Sequence, residues 1–177
     1  MSRESLLPGL AAHVLENGLS SASLRPLAKA AGTSDRMLIY HFGNKEQLLM
    51  DIVDFLARQY SSALSEAVGR RRASSRQACF ARIMAESRKP SMRGFQVLWW
   101  EIVAGAARGI PGYREGAEKV MSHLLDWLEQ EMPADDPDPR GGAAYLLTLI
   151  EGAQMLGVVG HARTAREGLL ASGLDRD

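Results

Sequence analysis

The sequence predicts an all-α protein: a small N-terminal three-helix domain with a helix-turn-helix, followed by a larger C-terminal helical domain. Three observations carry this. Apolar residues recur at helical spacing along nearly the whole chain, and strand-type alternation is almost absent. Ala, Leu, Gly and Arg dominate while aromatic residues make up only 6%, a composition that leans toward helix. With 177 residues, 46% of them hydrophobic and 24% charged, the chain can bury a substantial core.

The elements follow in order. Leu6, Leu10, Val14 and Leu15 form one apolar stripe, ending near Asn17-Gly18. Ser21 to Ser23 lead into a second helix with Leu24, Leu27 and Ala28, and Pro26 falls near its first turn, where a missing N–H does no harm. Gly32 suits a left-handed cap. Ser34 can accept from backbone N–H groups two or three residues ahead and so open a helix over 35–41. That helix buries Leu38 and Phe42 and turns Arg36, Met37, Tyr40 and His41 outward. Asn44 is placed to cap a long helix carrying Leu48, Ile52, Phe55 and Leu56, running to about residue 68. An Arg-rich break over 69–72 precedes a helix over 75–87, which Lys89-Pro90 ends. Further helices are expected over 95–107 and, opened by Pro111, as far as 131. The tract 133–142, with three prolines and two glycines, reads as loop. A strongly apolar helix over 142–160 and a shorter one over 163–172 close the chain.

Composition excludes several classes of function. Formal net charge is zero, so bulk charge announces neither nucleic acid nor membrane. The start lacks the basic and apolar segments of a leader, since Leu6 and Leu7 are followed by Pro8-Gly9. The longest apolar stretch, 145–159, is broken by Thr148, Glu151, Gly152 and Gln154 and is too polar for a membrane span. Cys79 stands alone, which rules out an internal disulfide and a thiolate metal site. A cytoplasmic protein with no cofactor and no metal is expected. The competing class is an enzyme or ligand carrier with an incidental helical hairpin. Against it, His13, His41, His123 and His161 lie far apart in sequence, and no HExxH pair, nucleophile elbow or glycine-rich phosphate loop occurs. Glu86, Glu101 or Glu151 could meet His123 in a folded site, though no spacing demands it.

The segment 24–49, LRPLAKAAGTSDRMLIYHFGNKEQLL, is the most informative. A helix as short as 35–41 is not stable alone and must be propped by neighbours. A propped short helix with exposed Ser, Arg, Tyr and His suits the major groove of DNA. Spacing alone leaves a plain helical hairpin equally open.

The pattern L-A-x-x-A-G-x-S followed by L-x-Y-H-F-x-x-K-E-x-L strongly resembles the DNA-binding segment of the tetracycline-repressor (TetR) family of bacterial transcription regulators. The resemblance covers roughly the first quarter of the chain. It implies a DNA-binding domain over 1–48 and a helical effector-binding and dimerisation domain over 49–177. It also implies roles for individual residues. Arg25 would reach a base edge or phosphate, and Thr33 and Ser34 would hold phosphate oxygens with hydroxyl and backbone N–H groups. Asp35, Arg36 and Met37 would face the groove, Arg36 as the candidate for a bidentate contact to guanine. Tyr40 and His41 would touch the DNA backbone, and Lys45 would anchor a phosphate. The family usually has Tyr where this chain has Ile39, which leaves no phosphate contact expected there. Residues 1–50 carry five basic groups against four acids, so specific binding should depend on dimerisation.

By the same resemblance the partners are a palindromic double-stranded operator, a second copy of the chain and a small-molecule effector, with repression as the default. Ligand binding would tilt the long bridging helix and respace the two recognition helices. Candidate ligand-binding residues are Phe55, Arg58, Phe80, Met84, Phe95, Trp99, Ile102, His123, Leu124 and Trp127, a mix that favours a largely apolar or aromatic ligand; most such residues are also ordinary core. The helix over 142–160 is the expected dimer seam. Ala144, Gly152, Ala153 and Gly157 would allow close approach, and Leu147, Ile150, Met155, Leu156 and Val159 would supply apolar area. Two charged segments remain: a basic one over 70–93, net +7, and an acidic one over 113–138, net −6. Solvated faces are the plain expectation. The alternatives are that the two approach each other or that the basic one recruits an anionic ligand such as an acyl-CoA.

Overall fold

A computed structural model describes residues 2–68 and 72–171, and all regular structure among them is helical. The helices are α1 (Arg3–Asn17), α2 (Leu24–Ala30), α3 (Asp35–Phe42), α4 (Lys45–Val68), α5 (Arg76–Ser87), α6 (Arg93–Ala107), α7 (Tyr113–Glu131), α8 (Pro139–Val158) and α9 (Ala162–Ala171). A 3-10 turn, Pro90–Met92, leads into α6. The chain forms two compact units, Met1–Tyr60 with Pro90–Ser122, and Ser61–Lys89 with His123–Asp177. No described helix is long and apolar enough to cross a membrane.

Local chemistry explains the boundaries. Ser2 opens α1 with a reciprocal cap: its hydroxyl accepts from the Ser5 N–H, and the Ser5 hydroxyl accepts from the Ser2 N–H. The helix runs through Pro8 rather than stopping there. Ser34 caps α3 by accepting from the Met37 N–H, and the Asn44 carboxamide caps α4 by accepting from Gln47 N–H at 2.8 Å. Gly32, at φ +63°, turns the chain between α2 and α3.

Two expected boundaries move. The tract 133–142 is not all loop, because α8 already begins at Pro139. Asp138 caps it by accepting from the Gly141 N–H, and Pro at the first helical position spends no needed donor. The helix expected from Phe95 starts two residues earlier, carried in by the 3-10 turn. Of the expected Arg-rich break, residues 69–71 lie outside the described residues.

In the first unit, Leu6, Leu10, Val14, Leu27, Leu38, Phe42, Leu48 and Ile52 make the core that props α3. Arg3 pairs with Asp51 of α4, and its guanidinium lies 5.4 Å from the centre of the Phe42 ring. α1 also packs on α6.

In the second unit the basic and acidic segments do approach each other. Arg76 at the head of α5 grips Asp136 in the α7–α8 loop and donates to the Asp138 carbonyl at 3.0 Å. Glu131 is half-buried. Desolvation raises its carboxyl above the ordinary range, opposed by the charges of Arg72 and Arg82. The buried indole of Trp127 donates to the Ser65 hydroxyl at 2.5 Å. Cys79 is buried on α5, and burial, with the Glu131 charge second, pushes its thiol up to about 12.

Candidate nucleic-acid interface

The exposed surface of α3 is the strongest candidate site. Its buried side is Leu38 and Phe42; Arg36, Met37, Ile39 and Tyr40 are exposed, Tyr40 at 78%. Asp35 lies exposed in the first turn, beside the Ser34 cap. Arg25 near the start of α2 and Lys45 at the start of α4 are exposed as well. Cationic, hydroxyl and aromatic groups thus flank one short helix held from behind.

Two expected groups are placed differently. Thr33 is half-buried and its N–H donates to the Ala28 carbonyl at 2.9 Å, so that donor already closes the turn. His41 does not point freely outward. It is half-buried, its Nε2 is shielded without a hydrogen-bond partner, and its ring meets Tyr40 edge-on with centroids 5.2 Å apart. The nearby Glu4 carboxyl of α1 lies below its ordinary range. Its own backbone hydrogen bond lowers it most, then the Ser2 hydroxyl, with Arg3 and His41 contributing less.

The ten candidate ligand residues divide between the units. In the first, Ile102 is buried and Phe55, Phe95 and Trp99 are half-buried, the Phe95 ring 5.3 Å from that of Tyr60. Arg58 is exposed and pairs with Asp54 at 2.8 Å, one turn away on α4. In the second, Phe80, Met84, Leu124 and Trp127 are buried and His123 is half-buried. A cleft of about 280 Å³, open mouth included, lies within the first unit. Leu19, Leu49, Met50, Val53, Ile102 and Tyr113 give it apolar walls, with Glu46 on the rim. Ile102 is the one candidate among its lining. Glu101 does not join a histidine; its carboxylate accepts from the backbone of the α1–α2 turn.

Residues 11–52, which span α2, α3 and the head of α4, match the family model for bacterial regulatory proteins of the tetR family. That N-terminal segment is of the tetR type. Solved structures share the TetR fold across almost its whole length. A protein from Rhodococcus sp. assigned to the TetR-family transcriptional regulators has a TM-score of 0.70 at 19% identity, covering 96% of this chain and 95% of that one. The regulator FadR from Bacillus subtilis, solved with stearoyl-CoA, has a TM-score of 0.60 at 14% identity, covering 97% and 95%. The multidrug binding protein EbrR, solved with proflavin, has a TM-score of 0.62 at 19% identity, covering 96% and 98%. No curated protein matches the chain.

Proposed function

We propose that the chain represses transcription by binding a palindromic operator as a homodimer, and that a small, largely apolar effector releases it. The observation that carries the reading is the two-sided build of α3: Leu38 and Phe42 buried beneath, Arg36, Met37 and Tyr40 exposed above. Arg36 reads a guanine edge, Met37 packs on a thymine methyl, and Asp35 accepts from a cytosine amino group or supports the cap. Arg25, the Thr33 and Ser34 hydroxyls, Tyr40, His41 and Lys45 contact the DNA backbone. Division of labour falls at 48/49, with effector binding and dimerisation in 49–177, and the protein works in the cytoplasm.

The dimer reading is supported by α8. Tyr145, Met155, Val158 and Val159 are exposed on or just past it, the last two above 60%. Space opens beside Gly152 and Gly157, where a partner helix could approach closely. Ile150 is buried in the chain's own core and supplies no such area. The apolar or aromatic ligand class rests on the aromatic and aliphatic candidates named above, and FadR and EbrR carry ligands of that character on the same fold.

The test is selection of binding sites from random duplex DNA at near-physiological salt, with wild type and the double variant Arg36→Ala, Tyr40→Ala run side by side. Recovery of a palindrome by wild type, lost or relaxed in the variant, is expected. Enrichment of nothing by wild type would sink the reading.

A further inference from the structure

The α1–α2 turn holds the reading head from behind. α1 ends at Asn17, Gly18 turns at φ +79°, and buried Leu19 and Ala22 pin the turn before α2 begins. α2 in turn packs on α3. A turn at a helix end leaves backbone donors without helical partners. Here they are met from 82 positions away in sequence. Oε2 of Glu101, on α6, accepts from the Leu19 N–H at 2.7 Å and from the Ser20 N–H at 3.3 Å. A Cβ at position 18 would stand 2.6 Å from Oε1 of the same carboxylate. Glycine there thus serves the backbone angle and the close approach of Glu101 together.

The neighbours on α6 strengthen the connection. Ile102 is buried and lines the cleft with Leu19, Met50 and Val53. One turn on from Glu101, Gly105 admits the Tyr113 ring against the helix, for a Cβ there would lie 2.0 Å from it. Burial first, and the charge of Glu101 second, raise the Tyr113 phenol.

We propose that Glu101 is a positioning residue for DNA recognition. Its carboxylate fixes the α1–α2 turn to α6, so the angle of α2, and of α3 packed on it, follows α6. This rests on the DNA-binding reading of α3 above, and it adds a route to the reading head that does not run along α4. Hydrogen bonds to a carboxylate weaken steeply with distance and angle. A displacement of α6 by an ångström or two is therefore enough to release the turn.

The experiment uses the full chain as wild type, Glu101→Ala and Glu101→Gln, with two readouts. One is amide hydrogen exchange at Leu19 and Ser20; the other is affinity for the duplex that wild type selects. Glu101→Ala should speed exchange at both amides by about tenfold or more, as expected for the loss of a charge-assisted bond, with protection along α4 unchanged. It should also weaken duplex binding by about tenfold at an unchanged salt slope, because no phosphate contact is lost. Glu101→Gln keeps shape and an acceptor oxygen and should fall between the two, which serves as the readout if the alanine variant folds poorly. Unchanged exchange at Leu19 and Ser20 would overturn the proposal, as would released amides with undiminished affinity. A wild type that selects no duplex overturns the DNA-binding reading itself, and the positioning role with it.

Discussion

The Arg76 guanidinium grips the Asp136 carboxylate with two prongs, Nε to Oδ2 at 2.7 Å and Nη2 to Oδ1 at 2.6 Å. That hydrogen-bonded cation, with the Asp138 N–H also donating, holds the Asp136 carboxyl at about 2. A carboxylate lowered on folding contributes stability above its ordinary range and loses it as pH falls through the folded value. Thermal stability of the chain should therefore drop between about pH 4 and pH 2. Asp136→Asn should be less stable at neutral pH and less sensitive across that window. Melting curves of both proteins from pH 7 to pH 2 check this; parallel curves would refute it.

Arg3 ties three helices at one point, pairing with Asp51 of α4 while lying over Phe42 of α3. It is nearly half exposed, so the contribution should stay modest, under about 1 kcal/mol, and fall with added salt. Arg3→Ala should show this small loss at low ionic strength and almost none at high. Denaturant titrations at two salt concentrations measure it.

Gly105 has no room for a methyl group, because the Tyr113 ring occupies the position a Cβ would take. Ala is the better helix former, so propensity alone predicts that Gly105→Ala stabilises α6. Overpacking should win, at about 1–3 kcal/mol of destabilisation. Pairing it with Tyr113→Leu should recover part of the loss, and a double-mutant cycle would show the coupling.

Trp127 and Ser65 share one half-buried hydrogen bond. Ser65→Ala should cost about 1–3 kcal/mol, because it strands the indole N–H. Trp127→Phe removes the donor and should shed less on the polar side while losing ring area. Tryptophan emission should shift in Ser65→Ala if the bond sets the indole environment.

Arg36 and Lys45 should behave differently on DNA. Arg36→Ala should cost about 1–3 kcal/mol on the selected site and relax the preference at one position, whereas Lys45→Ala should weaken all sequences alike and reduce the salt slope by about 1. Competition binding at several salt concentrations separates the two outcomes.

Much of this was legible in the sequence where the physics is local. Ser34, Asn44 and Gly32 announce their caps through side-chain chemistry or backbone freedom within three residues. The start of α8 was hidden for a different reason: the proline and glycines of 133–142 suggest loop, yet Asp138-Pro139 is also a sound helix opening. The signal was present and outweighed. Glu101 belongs to another class, since nothing near it in sequence says that its carboxylate serves the turn after α1. His41 shows the same limit. Helical spacing turned it outward, but the packing of the first unit shields its Nε2. Of the ligand candidates, Arg58 illustrates how a charged group one turn from an acid finds that acid first.

The thiol of Cys79 releases its proton only at about 12, so at neutral pH almost none is present as thiolate, the form that oxidants and electrophiles attack. It is also the chain's one cysteine. At that one thiol, peroxide, nitrosating agents and quinones thus find almost no thiolate to attack.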